Sequence, residues 1–202
     1  RKLVQHQITK LNRDLEYKIY QRTRDLEMRN KELESVSSRM EELAHTDSLT
    51  GLGNRRAGLL EAESYVHRSV ISHENLSLAI LDVDYFKRVN DNFGHQTGDD
   101  VLFTISQAIK HALRPSDRVY RWGGEEFLLV LPNTGEEFAS AVCQRVRQNV
   151  QVIEHAKVGQ VTVSIGVGTL HQIDNFESLL KRCDEMLYQA KENGRDQVVA
   201  VK

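Results

Sequence analysis

Glycine and proline are absent from the first 50 residues of this 202-residue chain; all 12 glycines and both prolines lie beyond that point. Without helix breakers, residues 1 to about 44 are free to form one uninterrupted helix. Cysteine is almost as scarce. Cys143 and Cys183 are far apart and lack any Cys-x-x-Cys or Cys/His spacing, so neither a disulfide framework nor a zinc site is indicated. A reducing, cytoplasmic compartment is the expectation. No apolar run approaches the ~20 residues of a membrane-spanning helix, and no signal peptide is visible. Neither sign of charge dominates: 27 basic and 29 acidic residues leave a formal net charge of -2, which offers no basic face for nucleic acid. The chain starts at Arg1 already in helical pattern. It therefore reads as a fragment lacking an upstream sensor domain, with membrane anchoring of the parent left open.

What the first segment does contain is charge and a heptad. Of residues 1–44, 10 are basic and 8 acidic. One register places Asn12, Ile19, Leu26, Leu33 and Met40 at a, and Ile8, Leu15, Arg22, Arg29, Val36 and Leu43 at d, a two-stranded seam with polar breaks. A lone helix would leave that stripe wet, so the reading is a parallel dimeric coiled coil, a rod of roughly 65 Å at ~1.5 Å per residue. The predicted division is 1–46 for the dimerisation and signalling helix and 47–202 for a globular domain.

From residue 47 the pattern alternates between apolar runs and amphipathic stretches. Asn54 reads as the cap of a helix reaching about Ser69, and Leu76 to Val83 as a buried strand. Asp84 looks like the N-cap of a short helix beginning Tyr85-Phe86-Lys87, and Asp99 or Asp100 opens the next, to about Leu113. Strands at Arg118 to Trp122 and Glu126 to Leu131 flank Gly123-Gly124 as a hairpin. A helix from about Gly135 to Val152, a strand from Val161 to Val167, a helix from about Phe176 to Asn193 and a strand at Gln197 to Val201 complete the series. Helices mixed with strands around a hairpin predict an α+β fold, a mostly antiparallel sheet flanked by helices.

Two stretches carry the chemistry. Residues 121–127 read Arg-Trp-Gly-Gly-Glu-Glu-Phe: two glycines permit close approach of a ligand, and two adjacent carboxylates offer hard oxygens suited to Mg²⁺. Taken alone, Gly-Gly-Glu-Glu fits a hairpin turn with two solvated acids at least as well. The second stretch, residues 81–102, sets Asp82 at the end of a buried strand, where a carboxylate is costly without a cation. If that strand lies beside the hairpin, Asp82 and Glu125 converge, the construction used by two-metal phosphoryl-transfer sites.

Gly123-Gly124-Glu125-Glu126-Phe127 resembles the signature of GGDEF-domain diguanylate cyclases, with Glu at the third position. Three further segments are similar to that family: Asp47-Ser48-Leu49-Thr50-Gly51-Leu52-Gly53-Asn54-Arg55-Arg56, the stretch from Asp82 to Asp99, and Tyr188-Gln189-Ala190-Lys191-Glu192-Asn193-Gly194-Arg195. The resemblance covers residues 47–202 and implies a palm-like or nucleotide-cyclase-like sheet that joins two GTP molecules into cyclic di-GMP with release of pyrophosphate. It implies that Asp82, the Val83 carbonyl, Glu125 and Glu126 hold Mg²⁺, with Mn²⁺ as the alternative and two ions per site. Glu125 would also help to deprotonate the attacking 3′-hydroxyl. Gly123 and Gly124 would give the nucleotide room, Asn90 and Asp99 would read guanine, and Leu102 would pack on the base. Phe86 and Lys87 match phosphate-loop positions, Lys191 and Arg195 would grip the triphosphate, and His95 would contact ribose.

Arg114-Pro115-Ser116-Asp117 has the spacing of the family's inhibitory product site, Arg114 lying nine residues before Gly123, and Arg145 matches a secondary contact there. The implied partners are GTP, cyclic di-GMP as product and inhibitor, and a second copy of the chain through the coiled coil. The competing expectation is a silent receptor that binds cyclic di-GMP and makes none.

Overall fold

The computed structural model describes Arg13, Lys18, residues 20–31, Leu33 and residues 45–201. The chain separates into two compact units, Arg1–Ala44 and His45–Lys202. In the first, residues 20–31 form a helix (α1) on which Arg22 and Arg29 are exposed, while Leu26 and Leu33 are 61% and 65% exposed on the single chain. The remaining heptad positions (8, 12, 15, 19, 36, 40 and 43) lie outside the described residues.

The second unit runs α2 (Arg55–Ser72), β1 (Leu76–Val83), α3 (Phe86–Phe93), α4 (His95–Ala112), β2 (Arg118–Arg121), β3 (Glu126–Pro132), α5 (Glu136–Gln151), β4 (Glu154–His155), β5 (Gly159–Gln160), β6 (Val163–Thr169), α6 (Phe176–Glu192) and β7 (Val198–Ala200). Five strands make one sheet in the order β2-β3-β1-β6-β7, antiparallel except for the β6–β7 pair. This is the expected α+β class. Among the described residues no helix is long and apolar enough to cross a membrane.

β1 is the central strand and every one of its residues is buried. Because strand side chains alternate between faces, Ala79, Leu81 and Val83 join the core under α4 and α5, whereas Leu76, Leu78 and Ile80 join the core under α2 and α6. Asp82 continues the second set. β6 shows why α6 can lie so close to that face: Ser164, Gly166 and Gly168 line it, and a Cβ at Gly166 would run into the backbone of Cys183 and Leu187.

The element boundaries correct several expectations. Asn54 does cap α2, accepting from the Ala57 amide at 3.1 Å, but the helix continues to Ser72. Asp84 caps nothing. The N-cap of α3 is Tyr85, in left-handed backbone with φ 56°, and the Asp84 carboxylate turns inward instead. Nor do Asp99 and Asp100 open α4, which begins at His95 directly after Gly94, whose φ of 81° supplies the break between the two helices. The two-residue strands β4 and β5 form a small separate hairpin that carries too little apolar pattern to be read from sequence.

Candidate active site

The register of the central sheet builds the site. Asp82 is the direct antiparallel partner of Glu126 on β3 and of Ser164 on β6, so the three side chains point to one face. Beyond Glu126 the hairpin closes through Glu126 O, which accepts from Trp122 N at 2.8 Å and Gly123 N at 3.2 Å. Val83 N donates to Glu125 O at 3.2 Å, which ties the signature turn to the end of β1. Asp82 and Glu125 are therefore neighbours, as expected.

Lys191, in the last turn of α6, reaches across this corner and places Nζ 2.8 Å from Asp82 Oδ2. Burial pushes the Asp82 carboxyl above the ordinary carboxylate range; the Lys191 ammonium opposes that shift, and the Glu126 and Asp84 charges add to it. Glu125 is raised as well, by burial first and then by the Asp82 charge, again with Lys191 opposing and Glu126 adding. Among the described residues no three acids, imidazoles or thiols are gathered closely enough to form a metal cluster. Lys191 takes one oxygen of Asp82, and the Glu126 carboxylate folds over Gly123.

The two signature glycines differ in what surrounds them. Neither adopts left-handed backbone. A Cβ at Gly123 would lie 2.5 Å from Glu126 Oε2, so glycine there makes room for the protein's own acid, while a Cβ at Gly124 would meet nothing within 4 Å. The turn is gripped from behind by Arg121. Its Nη2 and Nε donate to Gly124 O at 2.8 and 3.3 Å, and its Nη1 spans both oxygens of Asp47 at 3.2 and 3.1 Å. Burial would raise Asp47, but the Thr50 hydroxyl and amide together with Arg121 hold it below the usual carboxylate range.

Asn90 sits at the α3–α4 elbow with its side-chain oxygen packed on Gly98, one residue before the exposed Asp99, so the two guanine-reading candidates flank one corner. His95 is exposed at the first position of α4. Leu102 departs from its expected role: it is 1% exposed, in the core between α4 and the sheet, so no face of it is open to a base. Phe86 is likewise buried, which leaves its backbone N–H, beside the exposed Lys87, as the group it can offer at the start of α3.

Asp84 is the residue the sequence concealed. Its carboxylate accepts from Thr162 Oγ1 at 2.7 Å, Ser164 Oγ at 2.7 Å and the Asp196 amide at 3.1 Å, clasping β6 and the chain after α6 to the end of β1. Asp82 and Asp84 are two apart and so share a face, the one signal that could have exposed it. Arg195 follows α6 in left-handed backbone (φ 66°), and its guanidinium stacks on the Tyr85 ring, 4.6 Å from the centroid.

The product-site candidates gather near the C-terminal end of α4. Asp117 is fully enclosed, accepting from the Arg114 amide at 3.0 Å, with Arg114 Nε 3.6 Å away. The Arg114 side chain is 53% exposed. Arg145 on α5 is exposed and donates from Nε to the Ala112 carbonyl at 2.9 Å.

A sheet of this topology with an acid corner at the end of its central strand defines a nucleotide-cyclase-like α+β domain. Residues 44–197 match the family described as diguanylate cyclase, GGDEF domain, and the chain belongs to that family. It is 36% identical over 169 residues to the diguanylate cyclase DgcM of Escherichia coli, covering 84% of this chain and 41% of that protein. It is 41% identical over 164 residues to the response regulator PleD of Caulobacter vibrioides, covering 78% and 36%. The chain thus spans less than half the length of either relative. Among solved structures, the coiled coil and GGDEF domain of DgcB from Caulobacter crescentus, in complex with c-di-GMP, superposes with a TM-score of 0.81 at 29% identity over 93% of this chain and 99% of that one.

Proposed function

We propose that this chain is a diguanylate cyclase that condenses two GTP molecules into cyclic di-GMP and two pyrophosphates. The observation that carries the reading is the pairing of Asp82 with Glu126, which brings Glu125 and the Lys191 ammonium to the same corner. In each of two equivalent steps a 3′-hydroxyl oxygen bonds to the α-phosphorus of the other GTP, the bond from that phosphorus to its bridging oxygen breaks, and pyrophosphate leaves. Glu125 accepts the hydroxyl proton; a carboxylate whose proton affinity burial has raised is the better base. Lys191 and Arg195 hold phosphate oxygens, which for Lys191 means exchanging Asp82 for the nucleotide. Phe86 and Lys87 offer N–H groups at the start of α3. Guanine presents two donors on one edge, which Asp99 and Asn90 are equipped to accept. Gly124 leaves open space over the turn, and the exposed His95 at the start of α4 would contact ribose.

Asp82, the Val83 carbonyl, Glu125 and Glu126 would hold Mg²⁺, or Mn²⁺, at two ions per site. The donor set fits: hard oxygens on a buried Asp82 and the partly exposed Glu125 and Glu126, with Asp82 and Glu125 both held above the ordinary carboxylate range by burial and neighbouring acids, and a cation already drawn to Asp82. When bound, the ions would neutralise phosphate charge and acidify the attacking hydroxyl.

One domain offers half of the reaction, so two must face each other, and proximity then contributes several kcal/mol. The exposed Leu26 and Leu33 support a homodimer through the coiled coil. Exposed guanidinium groups on Arg114 and Arg145, with Asp117 bracing the turn between, support feedback by the product.

Incubation with GTP and Mg²⁺ followed by mass spectrometry tests the reading. Cyclic di-GMP is expected from the wild type and not from Glu125→Ala; no product from the wild type, or equal product from both, refutes it. Added cyclic di-GMP should slow the wild type and leave Arg114→Ala unaffected.

A further inference from the structure

Tyr85 lies between the metal-site acids and the phosphate loop, and nothing so far gives it a role. Its ring is half-exposed, yet two guanidinium groups stack on it: Arg88 from the first turn of α3 and Arg195 from beyond α6, each 4.6 Å from the ring centroid. The two positive groups are thereby held within twice that distance of each other. Among the described residues neither forms an ion pair with a carboxylate. Like charges gathered this way repel unless an anion joins them, and the ring's negative face offsets only part of that repulsion.

The backbone around the stack is costly too. Tyr85 (φ 56°), Arg195 (φ 66°) and Asp196 (φ 45°) are three of the five non-glycine residues with positive φ among those described. Strain of this kind persists only where the surroundings enforce it. Here the enforcing group is Asp84, which neighbours Tyr85 in sequence and accepts from the Asp196 amide. One buried carboxylate therefore sets both sides of the stack in register.

We propose that Tyr85 is a positioning residue that assembles Arg88 and Arg195 into a single clamp for the polyphosphate of the nucleotide, with Arg88 as an additional phosphate-contacting residue. The proposal rests on the GTP-binding reading of the site. A planar ring pre-orients both guanidinium forks, so less side-chain freedom is lost when phosphate oxygens arrive. The clamp acts on the phosphates and leaves recognition of the base to the α3–α4 elbow.

Calorimetric titration of GTP and of GMP into the wild type, Tyr85→Phe, Tyr85→Asn and Arg88→Gln distinguishes the cases. Asn tolerates left-handed backbone, so Tyr85→Asn removes the ring while keeping the turn. Tyr85→Phe should bind GTP as the wild type does. Tyr85→Asn and Arg88→Gln should each weaken GTP about tenfold, the scale of one partly desolvated cation contact, with GMP affinity unchanged. Wild-type affinity for GTP in Tyr85→Asn overturns the proposal, as does an equal loss for GMP, which would mark a merely structural role. A wild type that binds no GTP would instead defeat the functional reading on which the proposal stands.

Discussion

Lys191→Met isolates the charge balance at the acid corner. Asp82 has 8% of its side-chain surface exposed and faces Glu126 and Asp84, with the Lys191 ammonium 2.8 Å away as its counter-charge. Removing one partner of an enclosed pair costs about 3–5 kcal/mol, because the remaining charge is left uncompensated. The Lys191 side chain is 32% exposed, so water can reach the gap. The expected loss in stability at neutral pH is therefore about 1–3 kcal/mol. The pH dependence has a definite sign. Asp82 in the folded protein binds its proton more tightly than in the unfolded chain, so its contribution to stability is greatest in acid and declines as pH rises through the folded pKa. The variant raises that pKa further, so its deficit should widen from acid towards neutrality. Mg²⁺ should then stabilise the variant more than the wild type, since no ammonium competes for Asp82. A ligand at a hundred times its Kd contributes about 2.7 kcal/mol. Urea denaturation at three pH values, with and without Mg²⁺, reads all of this. A variant as stable as the wild type at neutral pH, or a deficit that grows in acid, would refute Lys191 as the counter-charge.

Three other outcomes are expected. Gly166→Ala drives a methyl into the backbone of Cys183 and Leu187, so α6 must lift from β6; thermal melts should register a loss of about 3 kcal/mol, the upper end for overpacking. Gly124→Ala meets open space without left-handed backbone and should melt within about 0.5 kcal/mol of the wild type, so any fall in GTP affinity there reports a clash with nucleotide. Asp47→Asn loses a carboxylate whose proton affinity is depressed in the fold, so its deficit should be full at neutral pH and vanish as pH falls through the folded pKa of Asp47; a pH-independent deficit would assign the effect to packing alone.

Local pattern made much of the fold legible. β1 announced itself as a largely apolar run, the β2–β3 hairpin by its central glycines, and α6 as the helix expected from about Phe176 to Asn193. Asp82 stood out because a carboxylate near the end of such a run demands a cationic partner, and Lys191 supplies one. The resemblance set Leu102 against the base, whereas the packing of α4 on the sheet encloses it in the core. Asp84 was misread because its partners Thr162, Ser164 and Asp196 lie 78, 80 and 112 residues further on, and nothing nearby in sequence betrays them.

Arg121 shows the same limit from the other side. Read locally, Asp47-Ser48-Leu49-Thr50 and Arg121-Trp122-Gly123-Gly124 are separate signatures, one opening the domain and one forming the turn. In the fold a single guanidinium joins them across 74 residues of sequence, one edge on Asp47 and the other on the Gly124 carbonyl. A bidentate fork fixes direction as well as distance, so the carbonyl it holds cannot rotate without breaking the pair. Glu125 is the next residue, and its backbone carbonyl is tied in turn to Val83 N. The orientation of Glu125, the proposed base, is therefore set in part by Asp47 near the start of the domain. A lysine at Arg121 keeps the charge but cannot bridge both acceptors, so Arg121→Lys should retain most of the stability and lose most of the rate. Equal retention of both would mean that the turn holds its geometry unaided.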